Sequence, residues 1–347
     1  MHPLHDIARL NVRSAAASLL FTKFSGLLES SLSTYRRWKH SENQVERIIL
    51  ACHPRGGSTW LGETLLALPR STLVWEPFNP KWNPACLEAG FSWHNYWPSG
   101  LTDQQSEFAR SVLRGHRIRT GHFGPLGNSC NRLLAMARAR ILMFKCTNAN
   151  LMLHHLDDIV PSEVVVLLRH PCAVVSSQLA HGGWRDVTKD NPDVVEDVGR
   201  VIQDHPRWRS TWAACTTQEE VLAFIWGMRT ALPLTRSKRS RWCVITYEGL
   251  VEQPDVEVDR LFEDLDHSPP EEIWNRIATP STTTQSESNV ATGKNPLETW
   301  TRRLSQGQVE QILDVVHDMG IHAYTEKLRP QNGRPSEHVE DVQPSRG

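Results

Sequence analysis

A short apolar run that breaks into a glycine loop and resumes as a helix limits what this 347-residue chain can fold into more than any other feature. Residues Arg47–Leu68 read RIILACHPRGGSTWLGETLLAL. Ile48, Ile49, Leu50, Ala51 and Cys52 predict a buried strand, and His53 to Thr59 predict a tight loop. Trp60, Leu61, Leu65 and Leu68, at three- and four-residue spacing, predict a helix. Gly56 and Gly57 let the backbone turn with its N–H groups inward, Ser58 and Thr59 add hydroxyl donors, and the helix dipole adds partial positive charge at the same point. Such a loop suits a phosphate or a sulfate. It is not a Walker A loop, because no lysine precedes Ser58 and the cation, Arg55, stands ahead of the glycines. That argues against an ordinary ATPase or GTPase, while a purely architectural strand-to-helix turn would use the same residues.

The rest of the chain repeats this alternation. Strands are predicted at Thr72–Trp75, Ala139–Lys145, Glu163–Leu168 and Trp242–Thr246. Helices are predicted near Asp103–Arg114, through Met152 and Leu156, from Pro171 through Leu179, over Val194–Gln203 and Gln218–Leu232, near Val256–Leu265, and over Ser305–Met319. The fold class that follows is α/β, a P-loop-type parallel sheet flanked by helices on both faces, with ligands at the carboxyl ends of the strands. The expected organisation is an N-terminal helical extension over residues 1–44, a single domain over 45–328, and a polar, disordered tail over 329–347. Lys81 to about Gly127, rich in Trp, Pro, Gly and His, reads as a lid or binding segment.

Charge excludes some partners. With 38 basic against 39 acidic residues there is no global basic field for nucleic acid, although a local anion site is allowed. The seven cysteines are dispersed and form no CxxC pair, so neither a disulfide framework nor a zinc site is indicated. Ser14–Leu28, interrupted by Lys23, is too short to span a bilayer, which leads to the expectation of a soluble, cytoplasmic protein whose N-terminal helix is able to touch a membrane surface or a partner.

A second motif meets the first. Val164–Ser177 reads VVVLLRHPCAVVSS: an arginine ends a buried strand, and a serine follows eight positions later on the next helix. A guanidinium and a hydroxyl so placed can converge on one anion. The loop around Arg55, this element, Tyr247-Glu248-x-Leu250 after a strand, and Thr292-Gly293-Lys294-(x)5-Trp300-(x)3-Leu304-Ser305 stand in the order of four sulfotransferase motifs. Over about residues 46–325 the chain therefore resembles the sulfotransferases that use 3′-phosphoadenosine 5′-phosphosulfate (PAPS), those of carbohydrates and protein tyrosine and their bacterial relatives in particular. Gly56 stands where that family commonly has Ser, and His170 and Cys172 stand where it has Asp and Arg.

The resemblance implies roles. Arg55, Gly56, Gly57, Ser58 and Thr59 would hold the 5′-phosphosulfate, with Arg55 also neutralising the leaving phosphate, and Lys145 would stabilise the transferred group. Arg169 and Ser177, with Gly293 and Lys294, would take the 3′-phosphate, and Trp60 and Tyr247 would line the adenine pocket. Glu76, twenty-one residues after Arg55 at the end of the second strand, is the expected general base. His94, His116 and His122 are rivals, because cytosolic members of the family use histidine. PAPS is the expected donor and PAP its product, and the resemblance implies that no metal is needed. The acceptor is expected to be a carbohydrate or glycosylated metabolite, with Trp75, Trp82, Trp93, Tyr96, Trp97 and Trp184 serving either to stack on it or to pack the core. The remaining alternatives are a P-loop kinase or nucleotide hydrolase, and a PAP-binding protein of this fold without turnover.

Overall fold

The structure is a computed structural model that describes residues 29–36, 44–92, 95–117, 130–237, 242–284, 293, 295–331 and 335–341. Five parallel strands form one sheet: β1 (Glu46–Cys52), β2 (Ser71–Trp75), β3 (Ile141–Cys146), β4 (Glu163–Leu168) and β5 (Cys243–Thr246). Their order is β2-β3-β1-β4-β5. The chain thus passes from β1 to the edge strand β2, returns to place β3 between them, and then builds outward on the other side of β1, so the topological switch point falls at the carboxyl end of β1, where open α/β sheets bind their ligands. Register brings the strand ends to one edge, with Leu50 and Trp75 both opposite Lys145, Cys52 opposite Leu167, and Leu168 opposite Thr246.

Alternate residues of each strand enter two separate cores, as a sheet covered on both faces requires. Ile48, Leu50, Cys52, Val165 and Leu167 pack with helix α1 (Ser58–Leu65) and with Leu261 and Phe262. Ile49, Ala51, Phe144, Val164 and Val166 face the larger core, built with helices α2 (Pro171–His181), α3 (Gln218–Ser237) and α4 (Gln306–Asp318). The α/β sheet with helices on both faces is the architecture expected from the sequence.

Local signals explain the boundaries. Pro171 occupies the first turn of α2, where its missing N–H costs nothing. His170 caps that helix, its Nδ1 accepting from the Cys172 N–H at 3.2 Å. Ser305 caps α4 in a reciprocal box with Gln308. Tyr247 opens a helix of its own, Tyr247–Glu252, capped by the Thr246 hydroxyl.

Described segments near both ends of the sequence contribute to the packing. Arg36, in the helical residues 29–36, is buried and donates to the carbonyls of Met136 and Ala139. Within the stretch read as a disordered tail, Pro335–His338 form a 3-10 turn and buried Val339 bridges to Ile321, so this part is packed because it covers an apolar edge. Among the described residues no helix is long and apolar enough to cross a membrane.

Candidate active site

The switch point opens into a cavity of about 1090 Å³, into which residues following each of the five strands project. The loop after β1 forms one wall. Arg55 has φ 73° and Gly57 φ 102°, and Gly57 caps α1 without any side-chain bond to the helix N–H groups. A Cβ on Gly57 would stand 2.7 Å from the Tyr247 ring, and one on Gly56 2.4 Å from Cys52 Sγ, so both close approaches require glycine.

Arg169, which follows β4, and two residues of α2 brace this loop at three points. Arg55 Nε donates to Ser177 Oγ at 3.1 Å, Arg169 Nη1 donates to the Arg55 carbonyl at 3.1 Å, and Gln178 Nε2 donates to the Pro54 carbonyl at 3.3 Å. The two sequence motifs therefore make one site rather than two neighbouring ones. Arg169 lies over the Tyr247 ring at 4.3 Å, and its carbonyl accepts from Trp226 Nε1. Its own Nε is buried without a partner. Burial, then Arg169 and Arg303, push the Arg55 guanidinium down from its ordinary pKa. Three arginines thus repel one another around one cradle, an arrangement that a multiply charged anion would relieve.

At the ends of β2 and β3, Glu76 and Lys145 form a buried ion pair, 3% and 5% exposed. The other Glu76 oxygen accepts from the Thr147 N–H at 2.8 Å, and the Glu76 N–H donates to the Lys145 carbonyl at 2.9 Å. Lys145 also lies 4.0 Å from the centroid of the Trp75 ring. Glu76 holds φ 43°; it and Arg55 are two of the four non-glycine residues with positive φ among the described residues. Such backbone persists only where its surroundings enforce it.

Of the residues singled out in the sequence, Arg55, Gly57, Ser58, Thr59, Trp60, Glu76, Lys145, Arg169, Ser177 and Tyr247 line the cavity. Trp60 meets Tyr247 edge-on at 5.3 Å and donates its Nε1 to the Ile277 carbonyl. Gly293 is described but does not line the cavity; Lys294, His94, His122 and Trp93 lie outside the described residues. His116 is described but does not line the cavity. Trp75, Trp82 and Trp184 line it, whereas Tyr96 packs in the core with its hydroxyl on Asp204.

Among the cavity-lining residues not singled out from the sequence are His53, Asp197, Arg229 and Arg303. His53 stacks on Trp226 and bonds Thr230, and burial holds its pKa well below the ordinary value, with Arg229 adding to the effect. Asp197 and Arg229 occupy apolar stripes of their helices, and that break in periodicity was the available signal. Arg303 had none, because an exposed arginine ending a 3-10 turn resembles any other.

No protein-family model matches the chain. The nodulation protein NoeE of Sinorhizobium fredii (strain NBRC 101917 / NGR234) is 25% identical over 273 residues, 76% of this chain, and the chain spans 62% of the length of that curated relative. The sulfotransferase domain from the Synechococcus PCC 7002 olefin synthase is 18% identical, covering 83% of this chain and 98% of that one, with a TM-score of 0.45. Mouse sulfotransferase SULT7A1 complexed with PAP is 13% identical, covering 83% and 88%, with a TM-score of 0.42. Scores of this size leave the fold to be read from the chain's own sheet. In its ordered motifs and in the solved structures it resembles, the chain is similar to the sulfotransferases.

Proposed function

We propose that the chain is a PAPS-dependent sulfotransferase that moves a sulfuryl group to a hydroxyl of a carbohydrate or glycosylated metabolite. The observation that carries this reading is the convergence of the braced Arg55 loop, Arg169 with its orphaned Nε, and the Glu76–Lys145 pair on one cavity. The residues fit the donor: the loop amides and Arg55, Ser58 and Thr59 would hold its 5′-phosphosulfate, Arg169 and Ser177 its 3′-phosphate, and Trp60 and Tyr247 its adenine. Gly293, expected at the 3′-phosphate with Lys294, does not line the cavity, and Arg303, which does, is a further candidate there.

Bound there, PAPS supplies a sulfuryl group whose bond to the 5′-phosphate breaks as the acceptor oxygen bonds to sulfur, the electron pair leaving on the phosphate. Glu76 takes the acceptor's hydroxyl proton. Its carboxylate is aimed by the Thr147 N–H and paired with Lys145, whose ammonium then turns toward the transferred oxygens. Arg55 stabilises charge on the leaving side. Arg169 positions the donor, leaving attack in line with the bond that breaks.

Two variants separate donor binding from chemistry. Arg169→Ala is expected to weaken PAP about 10- to 100-fold, the loss of a charged hydrogen-bonding group. Glu76→Gln is expected to keep PAP affinity and to lower turnover by about 100-fold or more. Undiminished turnover in Glu76→Gln would remove Glu76 as the base.

A further inference from the structure

Two charges stand in the cavity wall where helix periodicity asks for apolar side chains. In the helix Pro192–Asp204 the inward stripe is Val194, Val198 and Val201, and Asp197 lies within it, 8% exposed. In α3, Leu222, Ile225 and Arg229 follow one another at three- and four-residue spacing, and Arg229 is 7% exposed. All five of Val194, Asp197, Leu222, Ile225 and Arg229 line the cavity. Arg229 is electrostatically coupled to both Asp197 and Glu76, and Asp197 also pairs with Arg200.

Burial acts against both charges: it raises the Asp197 pKa and brings the Arg229 guanidinium down to about 10. Buried ionic pairs stabilise a fold no better than apolar residues of the same size. Placed in the wall of a ligand cavity, they act instead as fixed polar contacts among apolar surroundings.

We propose that Asp197 and Arg229 form the acceptor-recognition pair, holding two adjacent hydroxyls of a sugar ring so that a neighbouring hydroxyl is presented to Glu76. The proposal rests on the sulfuryl-transfer reading above. A carboxylate accepts from one hydroxyl, while a guanidinium donates to the oxygen of the next. Their charges cancel, which suits a neutral polyol; an anionic acceptor would face Asp197 and a cationic one Arg229. Trp184, Leu222 and Ile225 supply the apolar surface against which the C–H face of a pyranose packs.

The test uses the full-length protein with methyl hexopyranosides, their single-deoxy analogues, 4-nitrophenol and hexanol as acceptors, and calorimetry with PAP alongside. The expected result is efficient sulfation of at least one pyranoside and a 10- to 100-fold higher KM for the analogue lacking one of the paired hydroxyls. Asp197→Asn and Arg229→Lys should raise the pyranoside KM by about the same factor, change kcat less, and leave the Kd for PAP within about twofold. They should also lose discrimination against the deoxy analogue. A parent protein that binds PAP but sulfates no pyranoside, or sulfates 4-nitrophenol or hexanol as efficiently as any pyranoside, would overturn the pair. So would variants with unchanged KM. Failure of the parent to bind PAP would instead overturn the underlying reading, and the deoxy comparison in the parent decides the matter even where a variant fails to fold.

Discussion

Gly56→Ala tests the cradle without touching a charge. The backbone at Gly56 is outside the positive-φ region, so alanine meets no conformational penalty of its own. Its Cβ would instead stand 2.4 Å from Cys52 Sγ and 2.9 Å from the His53 carbonyl, the first about 1 Å inside ordinary contact at 3.4 Å. Cys52 is buried in the strand and unable to swing away, and the His53 carbonyl is already bound to the Gly56 N–H. Over-packing of this kind costs about 1–3 kcal/mol. Because relief requires the loop amides to move, PAP affinity should fall about tenfold as well. Cys52→Ala alone removes one buried atom at a cost of about 1 kcal/mol; its thiol, pushed up to about 12 by burial, carries no charge to lose. In the double variant the overlap with Sγ is gone, so a favourable coupling of about 1–2 kcal/mol is expected. Urea unfolding followed by tryptophan fluorescence, with PAP calorimetry on the same four proteins, measures both effects. A Gly56→Ala protein as stable and as tight-binding as the parent, or strict additivity in the double variant, would refute the steric reasoning. The same overlap explains why the serine common here in sulfotransferases is not accommodated beside Cys52.

Glu248 supplies a pH signature. It is buried, its Oε1 accepts from the His170 N–H at 2.9 Å, and burial raises its pKa to about 7 from 4.5. The folded state therefore holds its proton more tightly than the unfolded state, so this contribution is full below pH 4.5 and is lost as pH rises through 7. Between pH 5 and 8 the parent should lose stability relative to Glu248→Gln, by up to about 3 kcal/mol at 1.36 kcal/mol per pKa unit; a constant difference in urea midpoints across that range would contradict it. Arg303→Ala should weaken PAP several-fold, less than Arg169→Ala because Arg303 is exposed, and more at low salt than at high salt. Salt-independent affinity ratios in a calorimetric series would remove Arg303 from the site.

Much of this was legible before the fold. Glu163–Leu168 announced itself as a continuous apolar run, the pattern of a strand buried on both faces, and it is β4 to the residue. The cradle loop and the helix starts at Pro171 and Ser305 were readable because each depends on local chemistry. Sheet order was not, because neighbours such as Trp75 and Lys145 are set by tertiary pairing. The helix Cys130–Arg138 and the short helices at Ala85–Glu88, Arg209–Ala214 and Glu272–Ile277 passed unread, the short ones being too brief to show a period and held by what they pack against. His170 looked like a departure from a motif; its ring makes the helix cap with Nδ1 and meets the Thr325 carbonyl with Nε2, a role that residue type did not announce. Asp197 and Arg229 left a trace, charge inside an apolar stripe, that becomes meaningful once both stripes border one cavity.

The central claim is that Arg55, Arg169 and Ser177 build a site for a nucleotide phosphorylated at both its 3′ and 5′ ends. Calorimetric titration of the protein with PAP, beside ADP and ATP, without metal and again with magnesium, tests it most directly. Metal-independent binding of PAP, at least tenfold tighter than ADP, is the expected result. Magnesium-dependent preference for ATP would contradict it and return the Arg55 loop to the nucleotide kinases and hydrolases.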